Sequence, residues 1–270
     1  MIVHEISEIR RSRARIWNAM LGGNESYEED RLVLQKLLSI APDVRQLAVC
    51  EAEFIARAWR TVVGRRGIGQ VVYCGAPIPP GAPPHSADLA SIAEGRLERV
   101  VYVEPDVVLR AKGIGYLADQ NATVQLADPL DLSAMETVLR NELMWDEPVA
   151  VVAPGVLHWL GEDAARGWLR ELHEMFPQGG YVIASHFLEP RGMDVALNER
   201  LLQMLDGSGV LAGAFFRRAD AIEGLFDGWE LLAPGAVPAR DWWPGGPQLR
   251  KETPCDRLTA GVVARVDRSP

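Results

Sequence analysis

Apolar positions change their period twice along this chain, and the changes divide it into three stretches. In the first sixty residues the spacing is helical. Ile9, Ile16, Met20 and Leu21 form a stripe that stops at Gly22-Gly23, a natural helix end. Ser26-Tyr-Glu-Glu29 reads as a capping box opening a helix through about Ser39. After Pro42, the positions Val44, Leu47, Phe54, Ile55, Ala58 and Trp59 mark one face of a third helix.

After Gly67, short β-branched runs alternate with helical text. The expected strands are Gln70–Cys74, Arg99–Val103, Thr123–Leu126, Val149–Ala153 and Tyr181–Ala184. Helices are expected over Pro105–Ala118, over Ser133–Leu143 with Ser133 and Glu136 as a capping box, and over Asp163–Phe176. Continuous apolar strands separated by helices predict a doubly wound α/β core, with ligands at the carboxyl ends of its strands.

The last stretch differs again. Helical text over Met193–Leu205 and Asp220–Phe226 leads to a short strand at Trp229–Leu232, an irregular Pro/Gly-rich stretch and a final strand at Leu258–Val266. The two strands predict an antiparallel hairpin on the sheet edge. Residues 1–66 are read as a helical segment packed over the core, and 67–270 as the core itself.

Composition removes several classes of function. A net charge of -9 argues against a general nucleic-acid binder, which must neutralise phosphates. Met1–Arg10 holds no apolar core, and the longest uncharged apolar run, Pro148–Leu160, is too short to cross a bilayer, so no leader or membrane partner is expected. Cys50, Cys74 and Cys255 form no CxxC, and the five histidines form no HxH or HExxH, so no metal is expected. The chain reads as cytoplasmic, with a small molecule as its partner, and a homodimer is compatible with this reading.

Candidate chemistry lies at the strand ends. The first strand runs into Tyr73-Cys-Gly-Ala-Pro-Ile-Pro-Pro80, where Gly75 and Ala76 suit a nucleotide-binding turn and Pro77, Pro79 and Pro80 suit an ordinary stiff connection. The second strand ends Glu104-Pro-Asp106, and an acid there either holds a ribose diol or caps the next helix. Asp128, after the third strand, is a second such acid. His158 and Trp159 follow the fourth strand and Ser185-His186 the fifth, so both histidines are candidate general bases, with satisfied buried histidines as the alternative. Arginines at 10, 11, 13 and 15 form either an anion patch or a solvated face. Trp242-Trp243 reads as an exposed substrate cover or as an anchor for its loop.

Several blocks carry a family likeness: Ala14-Arg-Ile-Trp-Asn-Ala-Met-Leu-Gly-Gly-Asn-Glu-Ser-Tyr27, Ala41-Pro-Asp-Val-Arg45, Val100-Val-Tyr-Val-Glu104, Ala127-Asp128, Val156-Leu-His-Trp159 and Phe226-Asp-Gly-Trp-Glu-Leu231. Over nearly its whole length the chain resembles a family of S-adenosylmethionine-dependent methyltransferases common in actinomycetes. The resemblance implies a class I methyltransferase, Rossmann-like, with a seven-stranded sheet and an N-terminal helical extension. It assigns Glu104 to the ribose of S-adenosylmethionine and Asp128 to its adenine edge, with Gly75 in the cofactor turn. Arg15, Trp17 and Asn18 would lie near the methionine end. His158 and His186 are the expected catalytic residues, and Tyr27, Trp159, Trp242 and Trp243 the expected acceptor contacts.

The family's first strand runs into Asp-Ile-Gly-Ser-Gly-Leu-Pro-Thr. Here Tyr73 stands for the acid and Pro77 for the second glycine, a degenerate form of the cofactor motif. Asn18 and Asn24 stand where Asp and Lys are usual. Two functions are therefore expected in competition: methyl transfer to a small molecule of specialised metabolism, or a methyltransferase fold repurposed for cofactor-independent chemistry, such as cyclisation, or for binding. A third reading, a regulatory protein using Trp242-Trp243, predicts partner binding.

Overall fold

The structure is a computed structural model, and it describes residues 12–76, 78, 97–117, 121–189, 195–196, 199–200, 213–243 and 250–266. The prolines at 77, 79 and 80, the arginines at 10 and 11, and most of the helix expected over 193–205 lie outside the described residues.

Three helices open the chain: α1 (Arg13–Met20), α2 (Glu28–Ile40) and α3 (Gln46–Trp59), the last running on into a π-helical turn at Arg60–Arg65. A strand–helix alternation follows: β1 (Gln70–Cys74), β2 (Arg99–Val103), α4 (Val107–Tyr116), β3 (Ala122–Gln125), α5 (Leu132–Leu139), β4 (Val149–Ala153), α6 (Glu162–Met175) and β5 (Gly180–Phe187). The chain closes with α7 (Ala219–Glu223), β6 (Glu230–Leu231), β7 (Val237–Pro238) and β8 (Thr259–Val266).

The sheet order is β3-β2-β1-β4-β5-β8-β6, with β7 also on β8. From β3 to β5 the strands are parallel, and β8 runs antiparallel to β5 over its full length, from Gly180 opposite Val266 to Phe187 opposite Thr259. This pairing extends β5 three residues past the expected end at Ala184. β6 pairs with Ala264–Arg265 and β7 with Ala260–Gly261, so two short strands share one position and the eight strands fill seven.

Two caps differ from expectation by a residue or two. α2 opens at Tyr27, whose N–H donates to Asp30 Oδ2 at 3.0 Å, and α5 is capped by Asp131, which accepts from the Ala134 amide. The Ser26 and Ser133 capping boxes are thus displaced. Asp30 is fixed by a buried arginine described below, and this sets the register of α2.

Alternate strand residues enter separate cores, as the period-2 geometry demands. Val72, Val151, Val182 and Val262 face α5, α6 and α7, whereas Val71, Val152, Ile183 and Val263 face α3. α3 comes unusually close to the sheet at Gly261 of β8. A Cβ on that glycine would lie 2.4 Å from Phe54, so its absence makes room for the ring. Phe54 is fully buried and meets Trp242 edge-on at 5.4 Å. We expect Phe54→Ala to cost about 3–5 kcal/mol in urea denaturation, because neither Gly261 nor Trp242 has side-chain freedom to fill the space. A loss under about 1 kcal/mol would show that this contact does not hold α3 on the sheet.

Candidate functional site at the carboxyl edge of the sheet

Parallel strands place their carboxyl ends side by side, and here that edge carries a cluster of buried polar residues, Glu104, His158, Ser185 and His186. In sheet order it presents Asp128 after β3, Glu104 after β2, Tyr73 to Gly75 at the end of β1, Gly155 and His158 after β4, and Ser185 and His186 within the end of β5.

Glu104 is 1% exposed. Its carboxyl accepts the Asp106 N–H at 2.8 Å and the Ala76 N–H, which ties the β2 end to the turn after β1. Burial pushes it up to about 7, and the nearby Asp106 adds to the rise. Asp106 caps α4 by accepting from Val108 and Leu109, so the two acids after β2 have separate tasks. Asp128 is exposed and accepts the Leu130 N–H at 2.9 Å. Gly75 has φ 141°, and a Cβ there would lie 3.3 Å from the Tyr73 ring, so glycine keeps this backbone open to close approach. Tyr73 packs against Tyr102 at 5.4 Å between ring centroids, and burial raises its phenol, which stays neutral.

The N-terminal helices cover this edge through three links. Arg15, 4% exposed, donates to Asp30 Oδ2 at 2.7 Å and to Asp106 Oδ2 at 2.5 Å, with its guanidinium over the Tyr27 ring at 4.8 Å. Trp17 donates its indole N–H to Glu51 Oε2 at 2.5 Å. The guanidinium of Arg13 lies on the face of Trp159, 3.7 Å from the ring centroid, and feels the charge of Asp128. Asn18 is 8% exposed and turned inward: it accepts the Glu25 N–H at 3.2 Å, and its amide packs on Gly23, where a Cβ would meet it at 2.1 Å. It shapes the loop after α1.

Aromatic residues line the β4–β5 end. The His158 ring stacks on Phe187 at 3.8 Å and meets Trp159 at 4.6 Å, while Phe187 stacks on Phe216 at 4.9 Å and lies 6.1 Å from Trp17. His158 is 3% exposed, and burial, with His186, Arg13 and Arg217 adding to it, pushes it well below its ordinary value. It is therefore neutral, and its Nδ1 has no hydrogen-bond partner among the described residues. His186 has both ring nitrogens engaged, with Nδ1 donating to the Phe187 carbonyl at 2.8 Å and Nε2 accepting from Arg217 at 2.5 Å. Burial holds it near 3. In this arrangement His186 fixes Arg217, which also donates to the Leu160 carbonyl at 2.6 Å, and keeps no nitrogen for a substrate.

The tryptophan pair does not form an exposed cover. Trp242 is 1% exposed beneath α3, where Arg57 donates to its carbonyl at 2.9 Å, whereas Trp243 is 59% exposed and donates its indole N–H to the Ala233 carbonyl. The first ring is taken into the core edge-on against Phe54, so the anchoring alternative describes Trp242.

Sequence reasoning missed Glu51. It lies on α3 with its carboxyl 4% exposed, accepting from Trp17 and from the Ser185 hydroxyl, which in turn accepts the Gly155 N–H at 2.8 Å. Burial pushes it up to about 7. The signal was present: position 51 falls on the apolar stripe of Leu47, Phe54, Ile55 and Ala58, where a charge is out of place. Arg13 was seen only as part of a surface patch. Among the described residues no group of His, Cys, Asp and Glu could hold a metal ion, and no helix is long and apolar enough to cross a membrane.

A family model described as S-adenosyl methyltransferase matches residues 2–267. The chain is similar to a protein of Thermobifida fusca whose name marks it as a candidate methyltransferase, with 23% identity over 97% of each chain and a TM-score of 0.84. It is also similar to a DUF574-family protein of Streptomyces avermitilis, with 25% identity over 95% of this chain and 97% of that one and a TM-score of 0.82. Magnesium protoporphyrin IX methyltransferase of Synechocystis, solved with S-adenosylhomocysteine, shares the fold at 12% identity over 93% of each chain, with a TM-score of 0.54. No curated protein matches the chain.

The raised carboxyl of Glu104 has a consequence for stability. Between about 4.5 and 7 the folded protein keeps a proton there that the unfolded chain has lost, so this group's contribution falls as pH rises through that window. Glu104→Gln keeps a carbonyl acceptor at this position and cannot ionise. Its stability relative to the parent protein should improve from pH 4.5 to pH 8, by up to about 3 kcal/mol. Denaturant melts of both proteins at the two pH values measure this, and a constant difference would refute it.

Proposed function

The chain belongs to the S-adenosyl methyltransferase family, and on that premise we propose that it moves a methyl group from S-adenosylmethionine to a small-molecule acceptor at the carboxyl edge of its sheet. The observation that carries this reading is the order of groups along that edge. Asp128, Glu104 and Gly75 follow one another on adjacent strands β3, β2 and β1, in the order adenine, ribose and thioether of an adenosyl ligand.

The residues fit the cofactor. Glu104 presents a carboxyl that can accept from a ribose diol, Asp128 can accept from the adenine amino group, and Gly75 has no side chain to obstruct a ligand against the backbone. When bound, the cofactor supplies an electrophilic methyl group on a sulfonium. The protein's contribution is alignment in a space closed to water.

The acceptor half of the site is the aromatic wall of Trp17, Trp159, Phe187 and Phe216, with Tyr27 beside Arg15. Apolar walls with few polar atoms suit a small molecule better than a polymer, which needs an open groove. Base assistance, for an acceptor that requires it, falls to His158, because both nitrogens of His186 are committed. A neutral His158 ring orients an O–H or N–H nucleophile by accepting its hydrogen bond.

Calorimetric titration of the full chain with S-adenosylhomocysteine tests the reading. A Kd on the order of micromolar is expected, weakened at least about 10-fold in Glu104→Ala, which removes the diol acceptor. Absence of binding at millimolar ligand, by a protein shown to be folded by circular dichroism, would overturn it.

A further inference from the structure

Glu51 is expensive where it is. Its carboxyl is buried, and its described hydrogen-bond partners are two neutral donors, the indole N–H of Trp17 and the hydroxyl of Ser185. Neither is a cation, and a buried carboxylate without one is strongly disfavoured, which is why burial raises the group to about 7. The staple uses one oxygen for each donor and so needs two acceptors, but neither bond needs a full negative charge; that charge has a use when a cation arrives.

The position says which cation. Glu51 bonds to Ser185 at the end of β5; Ser185 bonds to the Gly155 amide after β4; and Tyr73, at the end of β1, feels the charge of Glu51. The group thus lies close to the β1, β4 and β5 ends. With adenine at Asp128 and ribose at Glu104, an adenosyl ligand continues past β1 toward β4, and that end of S-adenosylmethionine bears the α-ammonium. The residue of β1 at this point, Tyr73, offers no charge and is packed on Tyr102. We propose that Glu51, reaching in from α3, is the anionic group that receives the α-ammonium of the cofactor. This assignment rests on the methyltransferase reading above and supplies the charge that the first strand lacks.

The test compares two ligands on two proteins. S-adenosylhomocysteine carries the ammonium, whereas 5′-methylthioadenosine keeps the adenosine and thioether without the amino-acid portion. Calorimetry of the full chain should show Glu51→Gln weakening the first by about 10- to 100-fold and the second by less than about twofold, since a charge-assisted hydrogen bond is lost in one case only. A staple with no ligand role predicts equal changes for both ligands, and either equal loss or no loss would overturn the assignment while leaving the methyltransferase reading in place. Failure of the parent protein to bind S-adenosylhomocysteine would instead remove that reading and the inference with it. If Glu51→Gln does not fold by circular dichroism, Glu51→Asp, with its carboxylate withdrawn by one methylene, is measured with the same pair. Selective weakening of S-adenosylhomocysteine then supports the assignment, and equal change refutes it.

Discussion

One buried guanidinium ties the first two helices to the start of α4. Arg15 of α1 bridges Asp30, at the start of α2, and Asp106, at the start of α4, and all three side chains are largely withdrawn from water. A buried ion pair is a poor source of net stability, because desolvation offsets most of the attraction. Its effect is on geometry. An arginine fork satisfied on two sides admits few orientations of the helix that carries it. α1 is thereby fixed over the strand ends, with Arg13 on Trp159 and Trp17 on Glu51. The contacts that α1 makes with the candidate site depend on that orientation.

The sheet was readable from the chain because its signal is local. Five apolar runs at strand length, each bounded by turn residues, gave the parallel order its members, and three of the five, β1, β2 and β4, had both ends correct to the residue. The strand ends followed from the same text, so Glu104 and Asp128 could be named before any geometry was known. Helix starts were less readable. Ser26 and Ser133 have the right chemistry for caps, yet Tyr27 and Asp131 occupy those places; at α2 a distant partner, Arg15 on Asp30, decides the register.

What the sequence hid was tertiary in origin. Periodicity cannot show that His186 spends both ring nitrogens on Phe187 and Arg217, or that Trp242 is buried edge-on against a phenylalanine whose own ring needs the glycine of β8. Glu51 illustrates the same limit from the other side. A charge on an apolar stripe marks an anomaly, but only the approach of Trp17 from α1 and Ser185 from β5 shows where it leads.

Burial of the edge also bears on timing. Glu104 and Glu51 are 1% and 4% exposed, so a ligand can touch them only after some covering element has shifted. Over Glu51 one such element is α1, which is held by ionic and aromatic contacts, and helix shifts take microseconds to milliseconds, far longer than a side-chain rotation. Association is then governed by how often the protein opens, and departure by the same event. Where the exchange of spent ligand for fresh limits turnover, α1 rather than the chemistry carries that limit.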